Sequence, residues 1–97
     1  MPTPNAVFRA LSDPTRREIL QLLKAGPVSS GDIAAHFSSA WATISRHLGV
    51  LREAELILAE RQGNSILYEL NTTVLQEFVH GLFDLITPGG KDAKQDA

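Results

Sequence analysis

Residues 29–54 read SSGDIAAHFSSAWATISRHLGVLREA, and this stretch contains two helix patterns joined by a short turn. The first pattern follows a start signal at residues 29–32 and predicts an amphipathic helix of about two turns, with apolar positions at Ile33, Ala34 and Phe37. Residues 38–40 are predicted to form the turn. The second pattern predicts a helix over residues 41–54, with apolar residues at Ile44, Leu48 and Leu51. Short helices joined by short turns are the components of a helix-turn-helix.

The sequence before this stretch predicts two further helices. Residues 5–11 suit a short helix. Asp13 and Pro14 then form a start signal, because Asp accepts hydrogen bonds from the first amides of a helix and Pro fits its first position. Gly26-Pro27 ends this second helix. Its apolar stripe consists of Ile19, Leu20, Leu22 and Leu23.

The sequence after residue 55 changes to a strand pattern. Residues 56–61 and 65–70 are rich in β-prone side chains, and residues 62–64, Gln-Gly-Asn, are a tight-turn signal. These segments predict one hairpin. Because an isolated hairpin is barely stable, we expect it to pack on the helices.

The last predicted helix begins at residues 71–73 and is apolar over more than half of its circumference. A helix at the edge of a small domain buries only one stripe. The second apolar flank therefore needs a partner, and we expect that partner to be another copy of the chain. The apolar side chains of this helix are Val74, Leu75, Phe78, Val79, Leu82, Phe83, Leu85 and Ile86.

Length and composition restrict the class of protein. The 97 residues fit one domain over residues 1–87, followed by a flexible polar tail over 88–97. The predicted domain is mainly α with a small β-hairpin, in the order α-α-α-α-β-β-α. The chain has no cysteine, which excludes disulfides and thiolate metal sites. No apolar run has the length of a membrane helix, and no signal peptide is visible, so we expect a cytoplasmic protein.

Catalytic motifs are missing from the sequence. It contains no carboxylate pair within an apolar run, no glycine-rich phosphate loop and no motif that sets a base beside a nucleophile. We therefore expect a protein that is not an enzyme and needs no cofactor. The net charge of −2 argues mildly against nucleic-acid binding.

The helix predicted over residues 41–54 has a small, flat outer face. Small residues allow close approach to the major groove of DNA, and an arginine offers a planar fork for guanine or phosphate. A solvated helix surface has a similar composition, so the residues alone leave both interpretations open. The outer face carries Ala42, Ser45, Arg46, Gly49 and Glu53, with Trp41 and Arg52 on one flank.

Three stretches together resemble the ArsR/SmtB family of dimeric winged helix-turn-helix repressors. They are residues 10–20, ALSDPTRREIL; residues 44–54, ISRHLGVLREA; and residues 68–71, YELN. Residues 71–76, NTTVLQ, are similar to the cysteine-free SdpR-like autorepressor branch of that family. The resemblance covers residues 6–87. It implies a winged helix-turn-helix fold that dimerises through the first and last helices.

The resemblance also implies a DNA-binding surface and a dimer interface. In the family, the second helix of the helix-turn-helix enters the major groove and the hairpin is a wing that touches the DNA backbone or minor groove. The implied partners are a double-stranded DNA operator and a second copy of the chain. The implied DNA-binding residues are Trp41, Ala42, Thr43, Ser45, Arg46 and Arg52, with Arg61, Gln62, Gly63 and Asn64 in the wing. The candidate dimer contacts are Phe8, Leu11, Leu75, Phe78, Leu82 and Phe83.

Some residues near this surface have two interpretations. His47 lies on the buried stripe, where a hydrogen-bonded structural role is expected. Arg16 and Arg17 either contact phosphate or form internal salt bridges. Trp41 packs either on DNA or back onto Phe37. Arg61 is either a phosphate contact or a charge that keeps the strand end soluble.

The chain departs from the family at four positions: the family usually has an apolar residue at Ser39 and a polar one at Trp41, and the other two departures affect the backbone. Ala40 stands where the family has a Ser or Thr cap, which costs about 0.5–2 kcal/mol unless Ser39 replaces it. Glu55 stands where the family has a glycine. If that position requires a positive φ, Glu55 carries strain of about 1 kcal/mol.

The metal sites of the family are also absent from the sequence. The positions that align with one site are Ser29 and Gly31, which do not bind soft metals. The remaining candidate is His80 with Asp84, doubled by a dimer axis, and a polar exposed stripe on an otherwise apolar helix is the favoured interpretation of that pair. We expect no metal. The second family site aligns with Asn71, Thr73, Asp84 and Thr87, which lack the nitrogen and sulfur donors that zinc prefers.

Three functions therefore remain open. The first is a dimeric DNA-binding repressor at an inverted-repeat operator, without metal control. The second is a winged-helix module that binds proteins and not DNA, which the charge of −2 and Trp41 would favour. The third is a repressor whose effector is a protein or a small ligand that binds the last helix or the tail.

Overall fold

The computed structural model describes residues 2–88, which form five helices and a small sheet. The elements are α1 (Pro4–Leu11), α2 (Pro14–Leu23), β1 (Val28–Ser29), α3 (Ser30–His36), α4 (Trp41–Glu53), β2 (Ile57–Gln62), β3 (Ser65–Leu70) and α5 (Thr72–Ile86). The predicted mainly α fold with a small β-hairpin is confirmed, and all five predicted helices are present. The polar tail predicted over 88–97 lies outside the described residues, except for Pro88.

The sheet contains one strand more than the predicted hairpin. Its order is β1-β3-β2, with antiparallel pairs throughout, and Val28 of β1 lies opposite Tyr68 of β3. The order of elements is therefore α-α-β-α-α-β-β-α. A strand of two residues is too short to show alternating polarity, which is why the sequence pattern missed β1. The pairing attaches the hairpin to the loop before α3.

Side-chain caps define the starts of the first three helices. The Thr3 hydroxyl accepts from the amide of Ala6 at 3.1 Å and begins α1. Asp13 begins α2 as the sequence predicted, and the Ser29 hydroxyl begins α3 by accepting from the amide of Asp32 at 3.2 Å. These caps satisfy amides that have no partner within their own helix.

A single apolar core joins the helices to the sheet. α1, α2 and α4 pack pairwise against one another, and β3 packs against α2 and α3. The predicted inner face of α4 is buried. The largest fully buried side chains are Ile19, Leu23, Ile33, Ile44, Leu48, Leu51, Leu56 and Ile57.

The last helix contributes little to this core. Of the 15 residues of α5, Val74 alone is buried. Phe78 packs edge-on against Phe8 of α1, with ring centroids 4.9 Å apart. α5 thus lies beside α1 with most of its apolar surface uncovered. Over residues 2–88, no helix combines the length and the apolar character needed to cross a bilayer.

Candidate nucleic-acid interface

The outward face of α4 is as small and flat as the sequence predicted. Ala42, Ser45, Arg46 and Gly49 are exposed, while Thr43 is half-buried. A Cβ atom added to Gly49 would meet no atom within 4 Å, so internal packing does not require a glycine there. The missing side chain instead keeps the outer surface of the helix low.

The start of α4 has no side-chain cap. The cap position is Ala40, whose backbone carbonyl accepts from the amides of Thr43 and Ile44, but no side chain, that of Ser39 included, accepts from the first amides of the helix. Ser39 therefore does not compensate for the lost Ser or Thr. Trp41, the first residue of α4, is 49% exposed, so part of its surface remains available to a partner.

A tight turn places the tip of the hairpin in solvent. Gln62 pairs with Ser65, which leaves Gly63 and Asn64 as a two-residue loop. Gly63 has a φ of +60°, and Asn64 is not left-handed, as in a type II′ turn. The predicted wing residues Arg61, Gln62, Gly63 and Asn64 are all exposed.

The arginines of α4 and the wing are not engaged by acidic side chains. Among the described residues, no carboxylate lies within 4.0 Å of Arg46, Arg52 or Arg61. Arg52 lies in the last turn of α4, where a cation also interacts favourably with the helix dipole. A protein of net charge −2 can therefore present local positive charge at these exposed arginines.

Arg16 and Arg17 are used inside the fold. Arg16 Nε donates to the carbonyl of Ala10 at 2.8 Å, and Arg16 Nη2 donates to the carbonyl of Arg9 at 2.8 Å. Arg17 Nη1 donates to the carbonyl of Leu11 at 2.8 Å. Both side chains thus satisfy carbonyl groups at the end of α1. The sequence predicted either phosphate contacts or internal salt bridges for these two arginines, and bonds to backbone carbonyls were not among those alternatives.

His47 has the structural role that its place on the buried stripe predicted. Its Nδ1 lies 3.1 Å from Arg16 Nη1, and its Nε2 lies 3.9 Å from Asp13 Oδ2. Asp13 Oδ2 also accepts from the amides of Thr15 and Arg16, at 2.8 and 3.1 Å. Partial desolvation opposes ionisation of Asp13, but these amides and the nearby His47 and Arg16 outweigh it and lower the pKa of the Asp13 carboxyl.

Glu55 fixes the direction in which the chain leaves α4. It has a φ of +60°, so the condition under which the sequence predicted strain at this position is met. Its amide donates to the carbonyl of Arg52 at 2.9 Å, and the amide of Leu56 donates to that of Leu51 at 3.0 Å. These two bonds form a Schellman motif, which usually has glycine where Glu55 stands. The wing therefore leaves α4 along a defined path.

Comparisons with known proteins agree with this geometry. Residues 11–59, half of the chain, match a family model described as a helix-turn-helix domain. The chain is 50% identical over 88 residues to the transcriptional repressor SdpR of Bacillus subtilis (strain 168). The aligned residues make up 91% of this chain and 98% of SdpR. It is also 34% identical over 82 residues to the arsenical resistance operon repressor of Staphylococcus xylosus. Here the aligned residues make up 84% of this chain and 78% of that protein.

The chain belongs to the ArsR family. Among solved structures, it is similar to an ArsR-like transcriptional regulator from Rhodococcus sp. RHA1, with a TM-score of 0.78, 27% identity, and coverage of 95% of this chain and 84% of that chain. It is a transcriptional repressor of the ArsR and SdpR type with a helix-turn-helix DNA-binding domain, and it is not an enzyme. The resemblance inferred from the sequence is confirmed.

The side chains proposed for the dimer interface differ in exposure. In this ArsR-family chain, Phe8 and Phe83 are exposed and Leu82 is half-buried. Leu11, Leu75 and Phe78 are half-buried against the core. Three further apolar residues of α5 are exposed but were not among the predicted dimer contacts: Val79, Leu85 and Ile86.

Proposed function

We propose that this repressor acts as a homodimer that binds an inverted-repeat operator in double-stranded DNA and is not controlled by a metal. The observation that carries the proposal is the outer face of α4, where the exposed Arg46 stands among small residues. The wing tip, residues 63–64, is exposed as well. A helix with such a surface fits the major groove. Two copies related by a two-fold axis would read two half-sites of opposite direction.

The uncovered apolar surface of α5 supports the dimer. Leu85 is 78% exposed, Ile86 is 73% exposed, and Val79 and Phe83 are more than half exposed. Apolar exposure concentrated on one helix is typical of an association surface. A groove of about 300 Å³ between α1 and α5 could receive side chains of a second copy; its lining is Pro4, Phe8, Glu77, Phe78, Gly81, Leu82 and Leu85.

We assign the DNA contacts to two groups with different chemistry. Trp41, Ala42, Thr43, Ser45 and Arg46 would face the bases, with Arg46 reading a guanine. Arg52 and the wing residues Arg61, Gln62, Gly63 and Asn64 would face the backbone, where a positive charge acts without regard to sequence.

The donor chemistry supports metal independence. The chain has no cysteine, and within residues 2–88 no three His, Asp or Glu side chains converge on one point. His80 and Asp84, both exposed on α5, supply one nitrogen and one carboxylate per copy. An effector of another kind, a protein or a small ligand, stays a prediction, as does the cytoplasmic location.

Selection from a pool of random duplexes tests the proposal. We expect the protein to enrich an inverted repeat, and a gel shift with that duplex should be unaffected by equimolar zinc, nickel, cadmium or arsenite. Enrichment of no duplex would favour the protein-binding module. Metal-induced release that a chelator reverses would disprove metal independence, and His80 would then be the first residue to replace.

A further inference from the structure

Arg16 lies where three helices meet. It belongs to the first turn of α2, and its guanidinium donates to the carbonyls of Arg9 and Ala10 in α1. The same guanidinium contacts His47 in the middle of α4 through Nη1, at 3.1 Å. One side chain therefore links the end of α1 to the helix proposed to enter the major groove.

His47 is held from two sides. A guanidinium has donors only, so Nδ1 of His47 must be the acceptor. In the neutral ring, the proton is then on Nε2, which faces Asp13 Oδ2 at 3.9 Å. The imidazole side chain is 14% exposed, so little water competes for either nitrogen. Arg16 and Asp13 together fix the tautomer and the ring orientation.

The apolar packing beneath these groups supplies less direction. Buried Ala10, Ile19 and Ile44 hold α1, α2 and α4 together, but hydrophobic contact is non-directional and tolerates small rotations of a helix about its axis. The guanidinium fork has donors at fixed angles in one plane. It therefore restricts the rotation of α4 in a way that the core alone does not.

We propose that Arg16 and His47 are positioning residues that set the orientation of α4 relative to α1, and thereby the half-site spacing that the dimer accepts. The inference rests on the proposed function, because α1 carries Phe8 at the proposed dimer interface. Arg46 immediately precedes His47, so any rotation of α4 that His47 permits also moves Arg46. The link thus runs from the dimer interface to the base-reading side chain.

Distance measurements between spin labels test the orientation without DNA. One spin label is attached at Asn5→Cys in α1 and the other at Glu53→Cys in α4. Since the chain has no cysteine of its own, no other position is labelled. Dilution with unlabelled protein isolates the distance within one copy. We expect a narrow distribution for the labelled parent chain and for His47→Asn, which keeps an acceptor near the place of Nδ1. We expect a broader or shifted one for His47→Phe, which removes the acceptor, and for Arg16→Lys, which removes the fork.

Far-UV circular dichroism must first show that each variant folds, and Arg16→Lys replaces His47→Phe if the latter does not. An identical distribution in the parent chain and in the folded variant without the acceptor or the fork would overturn the inference. This outcome does not depend on whether the protein binds an inverted repeat.

The spacing is tested with the duplex enriched by the wild type and a version with one base pair inserted at its centre. The insertion moves one half-site by about 3.4 Å and about 35°. We expect the wild type and His47→Asn to prefer the original spacing by at least about tenfold, and His47→Phe by less than about threefold, with equal affinities for random duplex. Full spacing preference in His47→Phe would overturn the inference. Enrichment of no duplex would defeat the proposed function, while the label distances still decide the role of the link.

Discussion

The side-chain amide of Asn71 donates to the backbone carbonyl of Glu55 at 3.0 Å, and its backbone amide donates to the carbonyl of Leu56 at 2.9 Å. The residue that follows the wing therefore holds the two residues through which the chain passes from α4 to β2. These two bonds close the hairpin into a loop anchored on α4. They also stabilise the left-handed conformation of Glu55, which an L-residue other than glycine rarely adopts.

Glu55→Gly should stabilise the protein. Relief of the left-handed conformation is worth about 1 kcal/mol. Both Asn71 bonds end on backbone carbonyls, those of Glu55 and Leu56, which the substitution leaves in place. Urea unfolding measures the change. Glu55→Ala is the matched control, because it removes the charge and keeps the Cβ atom, so it should give little gain. Equal gains in both variants would attribute the effect to charge and not to φ.

Stability should also depend on Asp13 at acid pH. Because the folded state lowers the pKa of Asp13, the unfolded chain binds the proton at a higher pH than the folded protein does. The stabilisation is therefore complete above the ordinary aspartate range, about pH 3.9, and is lost as the pH falls through the lower folded value. Unfolding of the wild type and Asp13→Asn between about pH 6 and about pH 3 tests this.

The asparagine variant can still cap α2 but does not titrate there, so its stability relative to the wild type should improve on acidification. Glu69→Gln, at an exposed position on β3, serves as the control. A constant difference between wild type and Asp13→Asn at every pH would contradict the prediction.

The dimer should depend on α5. Leu82→Asp introduces a charge into the apolar groove between α1 and α5, so sedimentation should show a monomer and operator binding should be lost with it. Leu58→Asp is the control, since Leu58 is half exposed on β2, away from α5. A wild-type protein that sediments as a stable monomer at micromolar concentration would contradict the dimer.

Gly49 should separate stability from DNA binding. Gly49→Ala should stabilise α4 by about 0.5–1 kcal/mol, because alanine is the better helix former and its Cβ meets no atom of the protein. The same methyl group should weaken operator binding by holding α4 away from the groove. Gly31→Ala on α3, where an added Cβ also meets nothing, should stabilise without this loss. Undiminished operator affinity in Gly49→Ala would place that face away from the DNA.

The sequence predicted these features unequally, for physical reasons. The faces of α4 followed from helical periodicity, because burial of Ile44, Leu48 and Leu51 leaves the remaining side chains outside. The role of Arg16 did not follow, because its acceptors are backbone carbonyls that every residue possesses. The glycine that the family has at the position of Glu55 raised the question of a positive φ there, whereas the half-exposed position of Trp41 depends on a tertiary environment that no local pattern specifies.

Arg46 and Arg61 should lose different parts of DNA binding. If Arg46 reads a guanine, Arg46→Ala should lose about 1–3 kcal/mol of discrimination between the operator and random duplex. If Arg61 contacts phosphate, Arg61→Ala should weaken binding to both duplexes alike, and the slope of log affinity against log salt should fall by about one. A salt titration of each variant with both duplexes distinguishes the two effects.

Arg9→Ala is a suitable control, because it removes an exposed arginine of α1 outside the proposed DNA surface. Unchanged operator affinity in both Arg46→Ala and Arg61→Ala would show that α4 and the wing are not the DNA surface, and the protein-binding module would then be the better account.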